Sequence, residues 1–119
     1  MNIEDFRDFC LSLPGTIEET PFGPDTLVFK VGGKIFALTD LRAFGSINLK
    51  CEPEQAAELR ERYEYVLPGF HMNKKHWNTV LIGTGASQAQ LKQWITDSYQ
   101  LIVAALPKAM RAELAQAAE

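Results

Sequence analysis

The sequence predicts an α+β domain, a two-layer sandwich with an antiparallel sheet and helices packed on one of its faces. Two features carry that prediction. Thr26 to Leu41 holds two runs rich in β-branched and aromatic residues on either side of Gly32-Gly33, the pattern of a β-hairpin, because glycine takes the positive φ of a primed turn without steric cost. Around it, apolar residues recur at helical spacing near both ends of the chain, and the order becomes helix, three or four strands, helix, strand, long helix. With 119 residues and 46% hydrophobic content, the chain has the size and apolar material for one domain, 1–119, with its own core.

The first helix follows from Asn2 as an N-cap and from Ile3, Phe6, Cys10 and Leu13 on one face, and Pro14-Gly15 ends it. A short edge strand is expected around Ile17 to Thr20. In the hairpin, a loop of Gly32-Gly33 puts Leu27, Phe29, Val31, Phe36 and Leu38 on the core side. It leaves Thr26, Val28, Lys30, Ile35, Ala37 and Thr39 on the other side, which is too polar to be buried throughout. Ser46 to Lys50 alternates in the same way: Ile47 and Leu49 turn inward, and Ser46, Asn48 and Lys50 extend the polar face. Pro53 opens a second helix with Ala56, Leu59 and Tyr63 as its apolar stripe; Glu54, Glu58, Arg60, Glu61 and Arg62 lie on or near its wet side, and the helix reads as solvated scaffold. Gly83 to Gly85 is a turn, Ser87 with Gln90 forms a capping box, and Leu91, Trp94, Ile95, Ile102 and Leu106 mark the buried side of the longest helix, with Tyr99 at its margin. Pro107 stops that helix, and the alanine-rich segment Lys108 to Glu119 adds a final one.

Composition narrows the function classes. Trp94 to Leu106 is too short and too often interrupted by polar residues to cross a bilayer, and Glu4, Asp5 and Asp8 stand where a secretion signal needs basic and apolar residues. A cytoplasmic location without membrane contact is expected. Cys10 and Cys51 have no metal-binding spacing and read as reduced thiols. A net charge of -3 disfavours strong, charge-driven nucleic-acid binding. Its distribution is uneven, however, because no acid occurs from Tyr65 to Thr96, where Lys74, Lys75 and Lys92 fall.

Within that acid-free stretch, Leu67 to Ile82 passes from a Pro-Gly breaker through Phe70-His71-Met72-Asn73-Lys74-Lys75-His76-Trp77 into an apolar strand. Two lysines between two histidines, beside an amide and an indole, suit an anionic or planar partner. Tyr65, Pro68, Gly69, His71 to Trp77 and Thr79 resemble the corresponding segment of the MmcQ/YjbR family of small bacterial proteins. The similarity extends to Leu13-Pro14-Gly15 with Glu18 and Glu19, to Ser46–Lys50, to Asp97-Ser98-Tyr99 and to Leu106-Pro107. The resemblance implies a frataxin-like (CyaY-like) fold, also described as a double-wing arrangement, and a DNA-binding role without catalysis.

The expected function is therefore non-enzymatic contact with DNA through the open sheet face and the loop 71–77. Lys30, Lys34, Arg42, Lys50, Lys74 and Lys75 would meet phosphates, and His71, Asn73 and His76 would supply hydrogen bonds. Trp77 is carried with them, although a tryptophan entering a strand serves more often as an anchor than as a stacking platform. The alternative is a small-anion or protein-interaction module using the same loop. No cofactor or metal is expected: the histidines have no zinc-like spacing, and no nucleophile or paired carboxylate accompanies them. Glu4, Asp5, Asp8, Glu18 and Glu19 could gather around a hard cation, but serve equally well as helix-start and surface acids.

Overall fold

The computed structural model describes residues 1–70 and 72–117. Helix α1 (Ile3–Ser12) starts on a reciprocal cap: Asn2 Oδ1 accepts from the Asp5 N–H at 2.8 Å, and the Asp5 carboxylate accepts from the Asn2 N–H at 3.3 Å. The strands β1 (Ile17–Glu19), β2 (Thr26–Val31), β3 (Lys34–Asp40) and β4 (Ser46–Lys50) follow. After helix α2 (Pro53–Arg62) come β5 (Val66–Pro68), β6 (Trp77–Leu81), helix α3 (Gln88–Ala104) and helix α4 (Lys108–Ala117).

The strands form a six-stranded sheet in the order β1-β2-β3-β4-β6-β5, with every neighbouring pair antiparallel. Gly32 and Gly33 have φ of 59° and 81° and close β2 onto β3, the two-residue primed turn that their positions predict. Helices cover one face. Phe6 and Cys10 of α1 and Leu91, Ile95, Tyr99 and Ile102 of α3 join the buried residues of the strands in a single core, with Phe6 edge-on to Phe29 at 5.4 Å.

One stretch of strand faces differently from the prediction. Phe29 lies opposite Ala37 but Lys30 lies opposite Ile35, so Phe36 is the extra residue of a β-bulge. Phe36 and Ala37 are consequently both buried on the helix side. Beyond the bulge the alternation is inverted: Thr39 turns into the core, whereas Leu38, expected in the core, sits opposite Val28 on the other face. Ser98 holds the bulge from α3. Its hydroxyl donates to the Phe36 carbonyl at 2.6 Å and accepts from the Lys50 N–H at 2.9 Å.

The face away from the helices carries one row across all the strands: Glu19, Val28, Leu38, Asn48, Thr79 and Leu67. The row is only partly open. Val28, Asn48 and Thr79 are buried, and Thr79 Oγ1 donates to Asn48 Oδ1 at 2.6 Å while accepting from the Phe70 N–H at 3.0 Å. The segment after β5 therefore lies against this face, and Asn48 is not the exposed polar residue that alternation alone suggests. Among the described residues, no helix is long and apolar enough to cross a membrane.

Candidate nucleic-acid interface

The loop between β5 and β6 is fastened at its base and at its tip. At its base the Gly69 N–H donates to the Trp77 carbonyl at 2.9 Å. A side chain on Gly69 would meet Trp77 Cβ at 2.8 Å and Met72 Cβ at 3.2 Å, so glycine is what permits this approach. At the tip, the Asn73 carbonyl accepts from the N–H groups of His76 (3.2 Å) and Trp77 (3.0 Å), and Asn73 Oδ1 accepts from the Lys75 N–H at 2.9 Å. Asparagine thus folds the backbone on itself as an Asx-type turn.

Two neighbouring elements tie the loop to the fold. Arg60 of α2 donates one guanidinium nitrogen to the Lys74 carbonyl at 2.9 Å and to Asn78 Oδ1 at 2.8 Å. Past the end of β4, the Cys51 N–H donates to the His76 carbonyl at 2.8 Å. The Lys74 ammonium reaches back to the Gly69 carbonyl at 3.0 Å, which engages one of its three donors and leaves the others for a second partner. Asn73, Lys74 and Lys75 are exposed, and His76 and Trp77 are half-buried. The result is a preset surface turn.

The cations expected at the site divide into two groups. Lys50 stands directly opposite Trp77 in the β4–β6 register, so the loop and the end of β4 form one patch. Lys34 is exposed beside the hairpin tip at this same end of the sheet, but register with Val31 places it on the helix side. Lys30 is on the open face with its ammonium 2.9 Å from Glu19. Arg42 stands beyond the opposite end of β3, roughly 20 Å of strand away, and is shared between Asp25 at 3.7 Å and Asp40 at 3.4 Å. The backbone N–H and guanidinium of Arg42 hold the Asp40 carboxyl below the usual carboxylate range. His71 lies outside the described residues.

Charge pairing follows the same division. Among the described residues, Arg7, Lys30 and Arg42 have carboxylate partners, whereas Lys34, Lys50, Arg60, Lys74 and Lys75 have none within salt-bridge distance. Arg62, Lys92, Lys108 and Arg111 also have no carboxylate partner among the described residues, and the first two lie over the rings of Tyr63 and Phe9. Arg60 is the member that sequence reasoning missed. In an alternating Glu/Arg run it looks like any solvated helix residue, and only its reach across to the loop distinguishes it.

Three of the N-terminal acids have structural uses. Asp5 caps α1, Glu18 receives Arg7 at 2.6 Å and Glu19 receives Lys30. Hydrogen bonding to Arg7 lowers the Glu18 carboxyl below its ordinary range. Among the described residues, no three His, Cys, Asp or Glu side chains are grouped so that they could hold a metal ion.

A half-covered antiparallel sheet with helices on one side and a pinned basic loop at one end defines a small α+β domain. The chain belongs to the YjbR family, whose family model, described as YjbR, matches residues 11–101. It is 43% identical over 106 residues to YbdF of Escherichia coli O157:H7, covering 88% of this chain and 87% of that one. To YjbR of Escherichia coli K12 it is 30% identical over 117 residues, covering 98% and 99%. Among solved structures it resembles the Deinococcus radiodurans protein DR2400, described with a DUF419 domain, at a TM-score of 0.89 and 37% identity over 96% of this chain and 88% of that one. A Pseudomonas syringae protein matches at a TM-score of 0.73 and 30% identity, over 85% and 98%.

Proposed function

We propose that this is a non-enzymatic DNA-binding protein that holds the phosphate backbone with the pinned loop and the strand end beside it. Lys50, Lys74, Lys75 and Arg60 supply positive charge, and Asn73 and His76 supply hydrogen-bonding groups. The observation that carries the reading is that Lys74 and Lys75 of the pinned loop, with Lys50 and Arg60 beside it, have no carboxylate within salt-bridge distance among the described residues, whereas Lys30 and Arg42 do. A fixed turn also suits the role, because a preset site spends little conformational entropy on binding. Trp77 belongs to this account as the anchor that starts β6, packed against Gly69, rather than as a stacking surface.

The affinity expected is low and directed at phosphate rather than base. A net charge of -3 repels a polyanion at long range, and four cations release few counterions. A frataxin-like classification of the sheet and a cytoplasmic setting form part of the same proposal, the first supported by helices confined to one face and the second by two unpaired thiols.

Fluorescence anisotropy with a labelled duplex and a labelled single strand tests the assignment. Lys75→Ala weakens binding to both, and Arg42→Ala leaves it unchanged. Equal losses in the two variants would contradict the assignment of the loop. Saturation by inorganic phosphate at the same concentration as the duplex would replace the DNA reading with that of a small-anion site.

A further inference from the structure

Between α2 and α3 the covering layer is incomplete, and a groove of about 340 Å³ opens onto the sheet. Leu49, Val66 and Val80 form its floor, Leu59 one wall, and Trp94 and Leu101 the other. Trp94 is held in place by Tyr63, whose ring is 5.5 Å away at 60°, and by Tyr65 at 6.4 Å. This is an apolar concavity at the lower end of the size range of small-molecule sites, about 300–1,000 Å³. It lies on the helix side of the sheet and is independent of the DNA reading.

Its mouth carries more acid than base, although Arg60 acts on Cys51 from the α2 side. Asp97 from α3 and Glu52 from the start of α2 border it, and Glu54 and Glu58 line a shallow dent that shares Glu52 and Gln55 with the groove. Lys50 also borders the groove, but its N–H is taken by Ser98, and alternation along β4 sends its side chain to the opposite face with Asn48. Burial, with help from the charge of Asp97, pushes the Cys51 thiol up to about 11, so it stays neutral at physiological pH. Asn78 is already engaged by Arg60 and by the Ala56 carbonyl.

We propose that this groove binds a small organic cation with an apolar body, its ammonium facing Asp97 and Glu52 and its body lying on Trp94 and the strand floor. Apolar burial on Trp94 and the strand floor gives affinity, and the two carboxylates favour an ammonium over a neutral group and select against anions.

The test titrates 4-phenylbutylamine into the whole protein and follows the Trp94 indole N–H by NMR, with Trp77→Phe to assign the signal and 4-phenylbutyrate as the charge-reversed control. The amine should move the Trp94 signal saturably and the carboxylate should not. Asp97→Asn with Glu52→Gln should weaken the amine by about tenfold, the equivalent of one charge-assisted contact, and Ala104→Phe, which fills one end of the groove, should abolish the shift. No saturable shift, equal binding of the carboxylate, or undiminished binding in the Asp97→Asn/Glu52→Gln protein would overturn the proposal.

Discussion

Ser98 shows how much a single side chain does in this fold. It sits fully buried on α3 and satisfies two strand groups at once, the Phe36 carbonyl at the bulge and the Lys50 N–H at the end of β4. Ser98→Ala leaves both without that partner and should cost about 1–3 kcal/mol, read from the midpoint of urea unfolding. The cysteines give a pH test. Burial raises both thiols above their ordinary value of 9.0, Cys51 to about 11 and Cys10 further. Below the ordinary value both folded and unfolded thiols hold their protons, and the contribution to stability is complete. As pH rises past it the unfolded chain ionises first, and stability is lost. Unfolding midpoints should therefore fall from pH 8 to pH 10, with a flatter profile when both cysteines are alanine. Of the residues picked from sequence, Lys50, Asn73, Lys74, Lys75 and His76 come together in one patch. Lys34 and Arg42 do not join it, the first because register with Val31 puts it on the helix side and the second because it stands beyond the far end of β3. Lys30 is held by Glu19 on the neighbouring strand; strand register decides all three, and composition does not encode it.

At the scale of elements, the cap of α1, the Gly32-Gly33 turn and the Ser87 capping box were all legible because each is a local device, specified within four residues. The inverted face of Ala37, Leu38 and Thr39 was not, because the bulge depends on a hydroxyl from α3, 62 positions away. The same distance effect hid the groove and Arg60: α2 reads as solvated when taken alone, and its role lies in what it leaves uncovered and what it holds. The hairpin turn separates two costs that a glycine can avoid. Gly33→Ala introduces only the strain of positive φ, whereas Gly32→Ala also drives a methyl to within 2.6 Å of Leu106. Losses of about 1 kcal/mol and about 2–3 kcal/mol are expected on chemical unfolding, in that order. Arg60→Ala should loosen the loop without unfolding the domain. Amide exchange at His76 and Trp77 should quicken while the α3 amides keep their protection.

Over the whole molecule, an acidic protein carries at the loop end four cations, Lys50, Arg60, Lys74 and Lys75, with no carboxylate within salt-bridge distance among the described residues. On the proposed reading, the number of cations at that end sets what a polyanion should report. Lys50, Arg60, Lys74 and Lys75 engaging separate phosphates of duplex DNA give a slope of log affinity against log salt of roughly -3 to -4. Removing two of them by Lys50→Ala/Lys75→Ala should lower affinity and halve the slope, with the unfolding midpoint unchanged because neither side chain holds an ion pair. The most direct measurement is that salt series, by anisotropy of a labelled duplex, on the natural protein and the double variant. A slope of roughly -3 to -4 that falls by about half agrees with backbone binding at the loop; absence of binding at low salt, or a slope that the double substitution leaves unaltered, would contradict it.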